Sequence, residues 1–168
     1  LRETSNKAFT ILPLFIFFYA ILEHLPKDDA RVTFIYESLS KINEKLAEFG
    51  SSLLVKKGKT QDVWQQLVTE FEVKVLFFNK DYEPYAINRD QHITELLAQN
   101  GVKVQAFKDQ VIFEEAEITK ADGLPYTVYT PYKNKWLEKY KTIAPVTEHY
   151  TNVFSENWLA SSFEFPSM

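Results

Sequence analysis

The sequence predicts an α/β layer fold built on a mainly parallel sheet. Two observations carry that expectation. Short continuous apolar runs alternate with longer stretches whose apolar residues recur every three or four positions. The first of these runs, ILPLFIFF, is continuously apolar and so reads as a strand buried on both faces of a parallel sheet.

In chain order, residues 11–18 (ILPLFIFF) form the first such run. Residues 31–49 place Ile35, Leu39, Ile42, Leu46 and Phe49 on one helical face, and Gly50 stands where a C-cap belongs. Residues 52–57 (SLLVKK) are the next strand, punctuated by Gly58. Thr60 is suited to cap a helix running to about Phe71, with Val63, Trp64, Leu67, Val68 and Phe71 inward. Residues 73–78 (VKVLFF) make a third strand, and Pro84 opens a helix that ends at Asn100 and Gly101. Residues 102–107 (VKVQAF) make a fourth, and 111–113 (VIF) a short extra one.

After Glu114 the texture changes. Pro125, Pro131, Pro145 and Pro166 interrupt the chain, and only 132–140 (YKNKWLEKY) has a helical pattern. This part reads as a wrapping segment or an interdomain connector. At the other end, a doubly wound sheet normally holds its first strand at the centre. Only residues 1–10 precede Ile11, so a central strand is expected upstream.

Composition narrows the function. A chain of 168 residues fits one domain, and 45% hydrophobic with 15% aromatic residues can build a core. The net charge is −4 with scattered basic residues, unlike the concentrated basic face of a lone nucleic-acid-binding domain. There is no cysteine, hence neither disulfide nor thiolate metal site. The apolar stretch Ile11–Leu22 contains a proline and is too short to span a bilayer. His24, His92 and His149 lack metal-ligand spacing, and no phosphate loop, dinucleotide fingerprint or nucleophile elbow occurs. No catalytic residue is expected in this chain.

The candidate binding stretch is Asn79–Tyr85. In open parallel sheets, ligands sit beyond the carboxyl ends of the strands near the reversal of strand order. This stretch follows the 73–78 strand. Asp81 and Glu83 can accept hydrogen bonds from the N–H or hydroxyl groups of a heterocycle, and Tyr82 or Tyr85 can supply a flat wall. The same two acids equally suit the amino end of the helix opening at Pro84, through capping and the helix dipole. Most of the remaining aromatics lie within strand runs, where core packing accounts for them.

Residues 79–90 (NKDYEPYAINRD) resemble the N-x-D-x-E-P-Y-x-x-x-R-D signature of the DNA photolyase and cryptochrome family. Residues 12–17, 21–39, 53–58, 125–137 and 165–167 resemble further family segments in the same order. Leu1, Arg2 and Asn6 resemble the tail of its arginine-rich motif. Phe18 stands where the family usually has aspartate, and a family helix of about three turns between Ala8 and Ile11 has no counterpart.

The resemblance implies a Rossmann-like three-layer α/β/α domain with a mainly parallel, doubly wound sheet of about five strands. Residues 1–140 would form this N-terminal domain and 141–168 the start of an interdomain linker. The domain would hold an antenna chromophore (folate, deazaflavin or flavin) through Asp81, Glu83, Arg2, Ile16 and Phe17. FAD would sit in a C-terminal helical domain, expected to be absent from this chain, so the fragment alone would be inactive. The full-length protein would be a monomeric, cytoplasmic light-driven DNA-repair lyase that binds damaged DNA and no membrane. The alternatives are the photosensory domain of a cryptochrome and a stand-alone nucleotide-binding module. The last would need a phosphate-cradling glycine loop, and the four glycines are dispersed.

Overall fold

A computed structural model describes residues 10–23, 25–26, 28–143 and 157–167. The chain runs β1 (Leu14–Phe18), α1 (Tyr19–Leu22), α2 (Ala30–Ala47), β2 (Leu54–Gly58), α3 (Thr60–Glu70), β3 (Val75–Asn79), α4 (Pro84–Gln99) and β4 (Lys103–Phe107). A 3₁₀ turn (Glu115–Glu117) and α5 (Tyr129–Tyr140) follow. β1 pairs in parallel with β2, Leu14 opposite Leu54 and Phe18 opposite Gly58. β3 pairs in parallel with β4, Val75 opposite Lys103 and Asn79 opposite Phe107. The expected parallel pairing is present, but among the described residues it forms two two-stranded sheets rather than one.

Each sheet is covered on the faces its side chains dictate. Phe15 and Phe17 of β1 and Val55 of β2 pack with Leu39 and Leu46 of α2. Leu14 and Ile16 of β1, Leu54 of β2, Leu76 of β3 and Val104 of β4 pack on the other side. There they meet Val63, Trp64 and Leu67 of α3 and Ile93 and Leu97 of α4. The two sheets therefore share one core across the α3–α4 layer.

Handedness then orders the strands. Crossovers between parallel strands are right-handed in nearly all folds. Viewed with α3 and α4 in front and the strands pointing up, β3 lies to the right of β2, and β4 to the right of β3. Because α2 lies behind, β2 falls to the left of β1. The lateral order is β2-β1-β3-β4, with the direction of winding reversing between β1 and β3. The guanidinium of Arg89 in α4 lies 5.4 Å from the ring centre of Phe18, tying α4 to the carboxyl end of β1 as this order requires.

Glycines end the two long helices. Gly50 (φ 68°) and Gly101 (φ 75°) take the left-handed conformation that lets the chain turn out of a helix. In each case the two N–H groups at the turn donate to carbonyls of the last helical turn: Gly50 to Ala47 and Ser51 to Leu46, Gly101 to Ala98 and Val102 to Leu97.

Four local expectations are corrected. Residues 111–113 form no strand: Phe113 is held edge-on against Trp136 (ring centres 5.3 Å apart), which takes this run onto α5. Thr60 is the first helical residue and not the cap, because β2 extends to Gly58 and leaves Lys59 alone to make the turn. Ile42 and Phe49 are about half exposed rather than inward, since a sheet two strands wide covers only the narrow Leu39–Leu46 stripe of α2. α5 begins at Tyr129, three residues before the predicted 132.

Within the span expected to begin a linker, residues 157–167 return to the domain at the amino ends of the strands. Ile11 N–H donates to Asn157 O (2.7 Å) and Leu159 N–H to Ile11 O (2.8 Å). Ser161 N–H reaches Gly50 O, and Phe163 N–H donates to Ser52 Oγ (2.8 Å). Phe163 enters the α3–α4 core and Phe165 the α2 core.

Leu97 is fully buried where α4 meets both sheets, whereas Phe34 on α2 is 70% exposed. Leu97→Ala is expected to cost about 2–5 kcal/mol through lost burial and a residual cavity. Phe34→Ala should stay within about 0.5 kcal/mol of the parent. Urea unfolding of the two variants checks the contrast.

Candidate functional site

β3 ends at Asn79, and the loop 80–83 carries the chain into α4 at the carboxyl edge of the sheet. Pro84 occupies the first turn of α4, where a missing N–H costs nothing. Asp81 closes the loop. Its Oδ1 accepts from Tyr82 N–H at 2.7 Å and from Glu83 N–H at 3.3 Å. These donors precede the helix, so Asp81 shapes the approach to α4 and does not cap its first turn.

Glu83 occupies the cap position itself, yet its side chain makes no capping hydrogen bond. It is exposed. The two acids that share one sequence pattern are thus separated by geometry: one is committed to its own backbone, and the other carries a carboxylate that bonds none of the described residues at the amino end of a helix.

Tyr82 is committed as well. Its hydroxyl donates to Glu114 Oε1 (3.2 Å), which also takes Lys80 Nζ at 2.9 Å. Partial burial, followed by the Glu114 carboxylate, pushes the Tyr82 hydroxyl pKa up. The Lys80 ammonium holds Glu114 below the usual carboxylate range. A second set of contacts extends this latch: Asn79 Nδ2 to Asp109 Oδ2 (2.9 Å), Lys108 Nζ to Glu117 Oε2 (2.7 Å), and Glu114 N–H to Glu117 Oε2 (2.6 Å). Lys139 of α5 donates to the Glu117 carbonyl (3.0 Å). The 108–117 loop thereby clamps the 79–82 loop from the side. Of the two tyrosines proposed as a flat wall, Tyr85 is the one left exposed.

The other sequence-predicted residues are not gathered at one point. Ile16 packs toward α3 and α4, whereas Phe17 packs edge-on against Phe15 (4.9 Å) on the α2 side. Arg2 lies outside the described residues.

Three residues take their place at this edge only in three dimensions: Phe18, Arg89 and Glu114. Arg89 reaches Phe18 across the winding reversal and is steadied by Asp90 (2.7 Å). With Tyr85, His92 and Trp64 it also lines a shallow concavity of about 310 Å³ between the amino-terminal halves of α3 and α4. The Arg89–Asp90 pair was visible as the R-D of the 79–90 stretch. Glu114 carries no such signal, being 34 residues from Lys80. Among the described residues no cluster of His, Asp or Glu is placed to hold a metal ion. No helix among them is long and apolar enough to cross a membrane.

Residues 1–150 match the family model described as DNA photolyase. The deoxyribodipyrimidine photo-lyase of a Synechococcus species is 28% identical over 126 residues, 75% of this chain and 26% of that protein. Cryptochrome-2 of Arabidopsis thaliana is 28% identical over 103 residues, 61% of this chain and 17% of that protein. A crystal structure of an archaeal photolyase from Sulfolobus tokodaii with two FAD molecules, which carries the implication of a novel light-harvesting cofactor, is also similar. It has 25% identity and a TM-score of 0.60 over 68% of this chain and 26% of that one. The chain spans about a quarter of the length of the photolyases it matches.

The latch has a pH signature. Lys108, followed by the Glu114 N–H, draws the Glu117 carboxyl from its ordinary value of 4.5 to about 2. A folded-state pKa below the unfolded one means that the stabilisation is complete above about pH 4.5 and is lost as the pH falls from there toward 2. Thermal midpoints recorded through that window should fall more steeply for the parent than for Glu117→Gln, which has no proton to take up there. Parallel curves would show that the latch contributes no pH dependence.

Proposed function

The chain belongs to the DNA photolyase family, and we propose that it is the N-terminal light-harvesting-chromophore domain of a photolyase. The full-length protein, on this reading, is a deoxyribodipyrimidine photo-lyase that repairs cyclobutane pyrimidine dimers in damaged DNA under light. FAD and the flipped lesion belong to a C-terminal helical domain, the partner of this one. The setting is the cytoplasm and the protein a monomer. The observation that carries the reading is the carboxyl-edge loop: Asp81 fixes its path, and the exposed Glu83 emerges from it at the amino end of α4 without capping the helix.

The residues suit a folate, deazaflavin or flavin. Such ring systems present N–H donors at one edge and apolar faces, and the loop offers acceptors beside exposed Tyr85. Glu83 would take ring donors directly, with the second oxygen of Asp81 as its neighbour. Ile16 and Phe17 would bear on the pocket from β1 through their packing on either side of the strand, and Arg2 from the segment before it. When bound, the chromophore supplies near-UV and blue-light absorption for transfer to the FAD of the second domain. The structure with two FAD molecules supports a flavin as one member of the ligand class. The match to a cryptochrome supports a second reading, the same domain in a signalling photoreceptor.

A charge-assisted hydrogen bond to the ring contributes about 1.5–3 kcal/mol. In the full-length protein, Glu83→Gln should therefore weaken chromophore binding by roughly one to two decades, read from antenna absorbance during titration. Its thermal midpoint should hold, since the Glu83 side chain caps no backbone N–H of α4 and bonds none of the described residues. Asp81→Asn should lower both, because its carboxylate also closes the loop. Full occupancy in Glu83→Gln would remove the pocket from this loop.

A further inference from the structure

The concavity between the amino-terminal halves of α3 and α4 is distinct from the 79–83 loop. Neither Asp81 nor Glu83 contributes to its wall, although Tyr85, two residues further on, does. Its lining combines a buried donor, an open helix end and an apolar wall.

The buried donor is Trp64, which lines the concavity from α3 and is only 6% exposed. Its indole N–H is shielded from solvent and meets no acceptor among the described residues. A buried donor in that state is rare in a folded protein, because the lost hydration is not replaced.

The open helix end is the start of α3. Lys59 stands at the cap position without a capping side-chain hydrogen bond, and Val63 N–H is the first to donate back, to Lys59 O. The N–H groups of Thr60, Gln61 and Asp62 therefore have no carbonyl partner within the helix. All three residues line the concavity, and so does Lys59. Aligned peptide dipoles beside an ammonium favour a negative charge there. Asp62 limits how large that charge can be. Its carboxylate belongs to the same turn and repels a multiply charged group, so a single carboxylate suits the position better than a phosphate.

The apolar wall comes from α4. Ile93 and Leu96 line the concavity, and Tyr85 adds an exposed ring. Arg89 also lines it, but Asp90 already pairs with its guanidinium, which lies over Phe18. The volume of about 310 Å³ has room for a fused pair of aromatic rings with short substituents. An apolar surface with a few convergent polar groups is the usual make-up of a small-molecule site.

We propose that this concavity is a second binding site, for a flat aromatic monocarboxylate. The carboxylate accepts hydrogen bonds from the N–H groups of Gln61 and Asp62, with the Lys59 ammonium beside it. The ring lies between Tyr85 and the wall of Ile93 and Leu96. An acceptor atom at the far edge of the ring takes the Trp64 indole N–H, which the chain itself leaves without a partner. The inference does not rest on the chromophore assignment, since the residues that carry it lie outside the 79–83 loop.

The test uses 6-hydroxy-2-naphthoate as the probe, in equilibrium dialysis against the full-length protein. One equivalent should bind, at least about tenfold more tightly than the uncharged 6-hydroxy-2-naphthamide. Lys59 is exposed, so Lys59→Glu does not endanger folding, and it should weaken the probe by about tenfold. Trp64→Phe keeps an aromatic ring in the core and removes the donor. It should bring the probe down to the affinity of 2-naphthoate, which lacks the hydroxyl acceptor, and leave 2-naphthoate itself unchanged. Glu83→Gln should have no effect on either compound. Absence of saturable binding, equal affinity for acid and amide, or an unchanged affinity in Lys59→Glu would overturn the proposal. So would loss of the probe in Glu83→Gln, which would place it at the chromophore loop. Displacement by an equal concentration of inorganic phosphate would also overturn it, by reducing the site to a place for any anion.

Discussion

The need to cover both faces of a parallel sheet is the constraint on which the rest of this structure depends. It sets the character of β1 and β3, which read as nearly continuous apolar runs. It also sends the helices to opposite sides, α2 behind and α3 and α4 in front. Once the helices are assigned, right-handed connection leaves a single lateral order, and the winding must reverse between β1 and β3. That reversal brings the carboxyl ends of two inner strands together, where Arg89 meets Phe18 and the 79–83 loop emerges. The position of the candidate site is a consequence of covering the sheet.

A site at the end of a strand still needs a loop that holds its shape. Here the backbone of that loop is secured twice: from within by Asp81, and from the side by Lys80, Tyr82 and Glu114. Individually such partly exposed ion pairs contribute little. Joined through Glu117 to Lys108 and Lys139, they tie three separate segments, 79–82, 108–117 and α5, into one unit. A ligand-binding carboxylate gains from such a mounting, because less freedom is lost when the ligand arrives.

Much of the fold was legible because it depends on local pattern. The helix-ending roles of Gly50 and Gly101, the opening of α4 at Pro84 and the inward set Val63, Trp64 and Leu67 follow from turn chemistry and a 3.6-residue period. What failed depended on neighbours. Ile42 and Phe49 carry the inward period but lie over a sheet too narrow to cover them. Residues 111–113 have a strand composition, yet Trp136, distant in sequence, claims Phe113. At the site, the spacing of Asp81 and Glu83 raised both a capping and a ligand role without separating them. The separation lies in which backbone N–H groups each side chain reaches. Glu114 was illegible because a partner 34 residues away leaves no local trace.

The last segment completes the picture of which edge is open. Residues 157–167, part of the stretch that reads as a wrapping segment or a connector, cross the amino ends of β1 and β2. Ser161 and the backbone of Phe163 satisfy the buried Ser52, whose hydroxyl would otherwise be a costly polar group in the core. Phe163 and Phe165 then enter the two cores on either side of the sheet, joined to Phe71 and Tyr36 respectively. Sealing the amino edge in this way stiffens the end of the sheet that bears no candidate ligand. Among the described residues, the carboxyl edge keeps the helix end that Glu83 leaves uncapped, the exposed Glu83 carboxylate and exposed Tyr85. Among the described residues the two edges therefore differ: one is closed by chain, and the other is held by the Asp81 and Glu114 contacts without being covered.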